Sequence, residues 1–161
     1  MQIRFCSRAI TALALVCAAF LSLSGAAAAQ DSETYAMDTA AFIENGRVYA
    51  PARFIAEAFG IAVSWDGGTQ TATLARGGTE VRLQIGSREL IRTAAEKRET
   101  VQLDVAPLLR GGRTLLPVRP WAEAFGLTVQ WDGGTRTATV SEGERALSLV
   151  VGQRELRLTG G

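Results

Sequence analysis

Gly46 to Leu90 reads GRVYAPARFIAEAFGIAVSWDGGTQTATLARGGTEVRLQIGSREL, and Gly112 to Leu156 reads GRTLLPVRPWAEAFGLTVQWDGGTRTATVSEGERALSLVVGQREL. The two stretches lie 66 positions apart and align without a gap. Both keep Gly-Arg, Pro-x-Arg, Ala-Glu-Ala-Phe-Gly, Trp-Asp-Gly-Gly-Thr, Thr-Ala-Thr and Arg-Glu-Leu in register. Self-similarity at one fixed period marks a duplicated structural unit. Such a scaffold constrains architecture more than activity, because function is carried by a site and not by a fold.

Inside each copy, proline and glycine punctuate the elements. Val48–Ala50 and Thr114–Leu116 are extended runs that meet Pro51 and Pro117, and a proline disfavours helix at the residue before it. The same restriction at Arg119 puts the start of the second helix at Pro120, and repeat symmetry puts the first at Phe54. Phe54, Ile55, Ala58 and Phe59, and likewise Trp121, Ala122 and Phe125, give an apolar stripe at helical spacing. Gly60 and Gly126 stand where a left-handed residue ends a helix. Helices of about two turns do not persist alone, so packing against a sheet must hold them.

Beyond each glycine the hydrophobic period falls to two. Ile61, Val63 and Trp65 alternate with polar or small residues, Asp66-Gly-Gly-Thr turns the chain, and Thr71–Ala75 returns as the second arm of a hairpin. Leu127, Val129 and Trp131, then Asp132–Thr135 and Thr137–Ser141, repeat the pattern. A third strand follows, with Val81, Leu83 and Ile85 on one face, or Leu147, Leu149 and Val151. Gly86 and Gly152 end it, and Arg-Glu-Leu opens another extended piece. Tyr35–Asn45 aligns with Val101–Gly111, Asp38 over Asp104, so each unit begins with a short extended segment. Gln30–Thr34 reads as a polar, flexible start. Thr93–Glu99 is the candidate linker, unless its flanks pair across it and join both copies in one sheet. The expected class is α+β, a duplicated unit of short helix plus antiparallel β-hairpins, with repeats at 30–95 and 96–161 that either stand apart or form one joint domain.

Residues 1–29 carry a different signal. Arg4 and Arg8, the apolar run Ala9–Leu23 and Ala27-Ala28-Ala29 have the order of a cleaved secretory leader, ending near Ala29. The apolar run is short for a bilayer span, so no stable membrane span is expected after cleavage. Both cysteines, Cys6 and Cys17, leave with the leader, and the remainder holds no disulfide. The chain has no histidine, which excludes His/Cys zinc sites and Ser-His-Asp or Cys-His catalysis from the mature protein. No cofactor or metal is expected. Without Arg4 and Arg8, 15 basic residues face 16 acidic ones. That near-neutral balance argues against nucleic acid, which needs a clustered basic surface.

The string Gly-Arg-x-x-x-Pro-x-Arg-Phe-x-Ala-Glu-Ala-Phe-Gly-x-x-Val-x-Trp-Asp, followed by a turn, Thr-x-Thr and Ile-Gly, resembles the copper amine oxidase N-terminal domain-like family, also called the stalk domain. The resemblance runs from Tyr35 to about Leu158. Ala52 and Pro120 depart from the family's usual Leu or Val and Phe, and Pro120 reads as a variant helix start. The resemblance implies an antiparallel sheet wrapped around a helix, and an exported bacterial module with no catalytic role of its own. The oxidase's copper chemistry belongs to a separate, histidine-bearing domain. The motif positions carried over are Pro51, Arg53, Glu57, Gly60, Trp65 and Asp66, and Pro117, Arg119, Glu123, Gly126, Trp131 and Asp132.

Each of these admits a plain reading. Arg53 with Glu57, and Arg119 with Glu123, are four apart and read as partly buried ion pairs fixing helix to sheet. Trp65 and Trp131 share a face with Val63 and Val129, which reads as the core face; the other reading is stacking on sugar rings. Asp66-Gly-Gly and Asp132-Gly-Gly read as hairpin turns with glycines at positive φ, since one carboxylate per loop falls short of a calcium shell. Arg47 and Arg113 follow a glycine and are candidate contacts for an anionic polymer. Three functions follow. The first is a non-catalytic envelope module that contacts wall polymer or an envelope protein. The second is an inhibitor or adaptor that binds a protein by a sheet edge. The third is a hydrolase with paired carboxylates among Asp38, Glu57, Asp66 and their counterparts, at least one raised in pKa.

Overall fold

The computed structural model describes residues 32–160. The leader read at 1–29 lies outside the described residues, as do Gln30 and Asp31 of the polar start. The first copy runs β1 (Ser32–Ala36), β2 (Phe42–Glu44), β3 (Arg47–Pro51), α1 (Ala52–Ala58), β4 (Ala62–Asp66), β5 (Thr71–Arg76), β6 (Thr79–Gln84) and β7 (Glu89–Ala94). The second repeats it as β8 (Lys97–Gln102), β9 (Leu108–Arg110), β10 (Arg113–Pro117), α2 (Val118–Ala124), β11 (Thr128–Asp132), β12 (Thr137–Glu142), β13 (Arg145–Val150) and β14 (Glu155–Thr159). The protein is mostly antiparallel sheet with two short helices, an arrangement compatible with the α+β class.

Three sheets result, in the orders β4-β5-β6-β7-β8, β11-β12-β13-β14-β1 and β2-β3-β10-β9. Each five-stranded sheet takes four strands from one copy and its last from the flank of the other. β8 pairs with β7 across the stretch 93–99, and β1 pairs with β14 at the equivalent place. Ser32–Thr34 is therefore strand rather than a flexible start, because the neighbouring edge of β14 satisfies its backbone groups. Between the helices, Tyr49 faces Pro117, Ala50 faces Leu116 and Pro51 faces Leu115. Exchanging the copies maps this register onto itself. A pseudo-twofold axis thus passes between Ala50 and Leu116.

The alternation read from sequence turns Leu74, Val81, Leu83 and Leu90 inward, and Val140, Leu147, Leu149 and Leu156 in the other copy, each at most 1% exposed. These join Ile55 and Trp121 in one cluster that spans both copies. Burying an aliphatic side chain of this size contributes about 1.5–3 kcal/mol, and this shared core is what the short helices rest on. The indole N–H of Trp121 has no partner among the described residues, a cost its large apolar ring offsets. Tyr49, Val105 and Leu115 form a second, smaller cluster with Phe42 and Leu108. There Phe42 stacks on Tyr49 at 5.3 Å, and the Tyr49 hydroxyl donates to Ala106 O at 2.8 Å.

The helices start two residues earlier than the proline at 120 implies. Pro51 and Pro117 are extended N-caps, and the helices open at Ala52 and Val118. Pro120 then sits in the first turn, where its missing N–H has no intrahelical acceptor to lose. The C-termini end as read. Gly60 N–H donates to Glu57 O and Ile61 N–H to Ala56 O, with Gly60 at φ +68°. Gly126 and Leu127 repeat both bonds, which is the double closure of a Schellman motif.

The remaining helix carbonyls are taken by arginines. Arg76 donates to Phe59 O at 3.0 Å and Phe125 O at 2.9 Å, the C-cap carbonyls of both helices, and makes a two-pronged pair with Glu142 at 2.9 Å on each side. Arg145 donates to Ala58 O and Arg92 to Ala124 O, each reaching the other copy's helix. Positive charge at a helix C-terminus also meets the negative end of its dipole. Arg76 and Glu142 are equivalent positions of the repeat, so the pair straddles the axis. Glu44 and Arg110, also equivalent, pair at 2.9 Å, with the guanidinium 4.0 Å above the Phe42 ring.

Candidate functional site

Two clefts, related by the pseudo-twofold, open where the copies meet. In the first, of about 330 Å³, the Trp65 end of β4 faces Leu109 and Arg113 of the other copy, over a floor that includes Phe54 and Val63. In the second, of about 360 Å³, the Trp131 end of β11 faces Ile43 and Arg47 over Val129. Arg53 lines the first and Arg119 the second. Neither cleft is complete within one repeat.

Trp65 and Trp131 are 42% and 39% exposed, so they are not core residues. They do share a face with Val63 and Val129, as the alternation requires. A helix of seven residues, however, is only about 10 Å long. It covers Val63 and leaves the far end of an edge strand open. The exposed large hydrophobics among the described residues are Tyr35 and Val101, Ile43 and Leu109, and Trp65 and Trp131. These are three pairs of equivalent positions, and the last two pairs line the clefts.

Arg47 and Arg113 are held across the repeat boundary rather than free in solvent. Arg47 Nε donates to Asp104 Oδ2 at 3.1 Å, and Arg113 pairs with Asp38. Of the partly buried ion pairs expected on the helices, one forms, and it lies at the surface. Arg119 and Glu123 meet at 3.6 Å with both side chains more than half exposed, and no Arg53–Glu57 pair occurs among the described residues. The helix is anchored by its apolar face and its C-terminal carbonyls, so these residues stay at the surface.

Asp66 and Asp132 hold their own turns. Asp66 Oδ1 accepts from the Gly68 and Thr69 amides at 2.8 and 3.3 Å, and Oδ2 from the Thr69 hydroxyl at 2.8 Å; Asp132 does the same with Gly134 and Thr135. The hydroxyl bond, with the amides behind it, holds each carboxyl below the usual aspartate range. The glycines of these turns do not adopt positive φ. Gln70 and Arg136 take the left-handed position instead, at φ +52° and +53°. A Cβ at 68 or 134 would lie 3.3 Å from the aspartate Oδ1 and crowd the carboxylate that closes the turn.

The carboxylates considered for hydrolysis are dispersed. Asp38 lines the first cleft, Asp66 serves its turn, and Glu57 lines neither cleft. Among the described residues no group of three or more acidic, histidine or cysteine side chains is placed to hold a metal ion. Sequence reading missed Arg76, Arg92, Glu142 and Arg145. One signal was available, because 76/142 and 44/110 are the equivalent positions of the described residues at which the copies carry opposite charges.

Strand exchange about a pseudo-twofold axis defines a class of protein, the tandem duplicate of a small antiparallel-sheet unit. Residues 29–101 and 95–161 each match the family described as Copper amine oxidase N-terminal domain, and the chain belongs to that family. It is a family of non-catalytic accessory domains. The two matches overlap at 95–101, on β8, the strand that follows one unit and begins the next. No curated protein and no solved structure matches the chain. No helix among the described residues is long and apolar enough to cross a membrane.

Proposed function

We propose that this protein is an exported, non-catalytic module of the stalk type, acting in the cell envelope through contacts with wall polymer or an envelope protein. In this reading residues 30–95 and 96–161 are halves of one joint domain, and each sheet curls about its helix. The leader-like order of residues 1–29 supports export, and family membership supports the accessory role. The observation that carries the reading is the duplication of an open cleft with an exposed tryptophan and two arginines, Arg53 and Arg113 in one and Arg119 and Arg47 in the other. A cleft whose one acidic lining residue, Asp38, is held by Arg113, and that keeps an aromatic face, is suited to holding a ligand unchanged.

The test is retention of residues 30–161 on purified wall sacculi and on an envelope protein extract, beside an Arg47→Ala/Arg113→Ala variant. Retention that the double substitution weakens supports the reading, and retention on neither matrix overturns it. A second reading, an adaptor or inhibitor binding by a sheet edge, draws on Tyr35 and Val101, which are 44% and 46% exposed on the edge strands β1 and β8. It predicts capture of a single protein, abolished by Tyr35→Lys/Val101→Lys.

A further inference from the structure

The paired clefts carry more than a general binding role. An isolated exposed tryptophan is unremarkable on a protein surface. Here the same exposure occurs at both equivalent positions, and each indole has a second exposed apolar side chain across the gap, Leu109 or Ile43. The result is a trough with two apolar walls and a charged rim. At about 330 and 360 Å³, each trough lies at the small end of the range of ligand clefts, with room for a short segment of an oligomer and not for a protein domain.

The rim selects among ligands. In the first trough Arg113 is paired with Asp38, while Arg53 has no acidic partner among the described residues. In the second, Arg47 is paired with Asp104, and Arg119 reaches Glu123 only at 3.6 Å, at the exposed surface. Each trough therefore offers one loosely held arginine, Arg53 without an acidic partner and Arg119 in a 3.6 Å surface pair with Glu123, and a second held in place by an aspartate. One such arginine suits a carboxylate taken in a two-pronged grip. A dense polyphosphate needs several cations in a row, which a near-neutral chain does not supply. In the first trough Asp38 keeps acceptor sites for hydroxyl groups, and in the second the Gln130 side chain can serve the same role. An apolar ring face, hydroxyls and a carboxylate together describe an acidic pyranose.

We infer that the two troughs are equivalent subsites for oligosaccharides of carboxylate-bearing pyranoses, with Trp65 and Trp131 as ring platforms and Arg53 and Arg119 as carboxylate contacts. This deepens the envelope-module reading and rests on it. Because the two subsites are separate and equivalent, occupancy of both lets one protein bridge two sugar chains.

The test is calorimetric titration of residues 30–161 with three acidic probes, tetragalacturonate, tetraglucuronate and a tetrasaccharide of alternating N-acetylglucosamine and N-acetylmuramic acid. Galactotetraose is the neutral counterpart and poly(glycerol phosphate) the polyanion control. At least one acidic probe binds at two equivalents per chain, at least about tenfold tighter than the neutral one. Trp65→Ala and Trp131→Ala each reduce the stoichiometry to one, and the double variant loses binding by about tenfold or more. Arg53→Ala/Arg119→Ala brings the acidic probe down to the neutral level. Circular dichroism of each variant establishes that these exposed positions leave the fold intact. No binding by any acidic probe, equal binding of acidic and neutral probes, tighter binding of poly(glycerol phosphate), or binding that survives the double tryptophan variant overturns the assignment. Sacculus retention separates the two readings. If it persists in Trp65→Ala/Trp131→Ala, the envelope role stands and this ligand assignment falls. If it is absent although an acidic probe binds, the assignment stands and the envelope role falls.

Discussion

At the scale of single residues, the repeat preserves side chains for reasons that differ from position to position. Gly60 and Gly126 are kept for conformation, because both sit at positive φ and close the helix by two backbone bonds. Gly60→Ala and Gly126→Ala should each destabilise the protein by about 1–2 kcal/mol, seen as a lower urea midpoint at unchanged slope. Asp66 and Asp132 are kept for their turns. Their folded pKa lies below the unfolded value, so their contribution is fully present above about pH 4 and is lost as pH falls through the lowered folded value. Thr69→Val and Thr135→Val remove the largest cause of the shift. Carboxyl titration by NMR should then find each aspartate back toward the ordinary value. The tryptophans beside these turns were legible as a shared face with Val63 and Val129. Their exposure was not, since alternation assigns a side of the sheet and says nothing of how far a neighbouring helix reaches along it.

At the scale of elements, helix ends and hairpins followed the glycines closely, while helix starts did not. Pro120 draws the eye to its own position, yet a proline anywhere in the first turn loses no bond, and Pro117 was the cap. The hairpin joining β7 to β8 is less apparent, because its central residues Ala95 and Glu96 both adopt positive φ, at +46° and +66°, without being glycine or asparagine. Two left-handed residues are what a type I′ turn demands. Ala95→Asn/Glu96→Gly should therefore stabilise the protein by about 1 kcal/mol, measured as a rise in melting temperature. A different outcome would mean that the charge on Glu96 contributes more than its backbone costs.

At the scale of the whole molecule, the axis between the copies makes a symmetry test possible. Arg76 and Glu142 occupy equivalent positions, and the carbonyls that Arg76 holds, those of Phe59 and Phe125, are equivalent as well. An arginine at 142 reaches the same pair of carbonyls from the other side. Arg76→Glu and Glu142→Arg alone should each cost about 2 kcal/mol, with the half-exposed Glu142 keeping the loss modest. The double exchange should recover most of that loss in a double-mutant cycle. If the reversed pair recovers nothing, the two halves are not equivalent at their interface and the axis is only approximate there.

By itself the sequence determined the duplication, the order of elements within each unit and the inward-facing residues of the strands, which rest on local periodicity and turn chemistry, and its motif string pointed to the family by resemblance. Tertiary structure alone decided that β1 and β8 trade places, that arginines of one half close the helices of the other, and that Trp65 shares a cleft with Arg113 and Trp131 with Arg47. These are contacts between segments far apart in the chain. A repeat prints the same residues twice, but only packing about an axis decides which copy each of them faces.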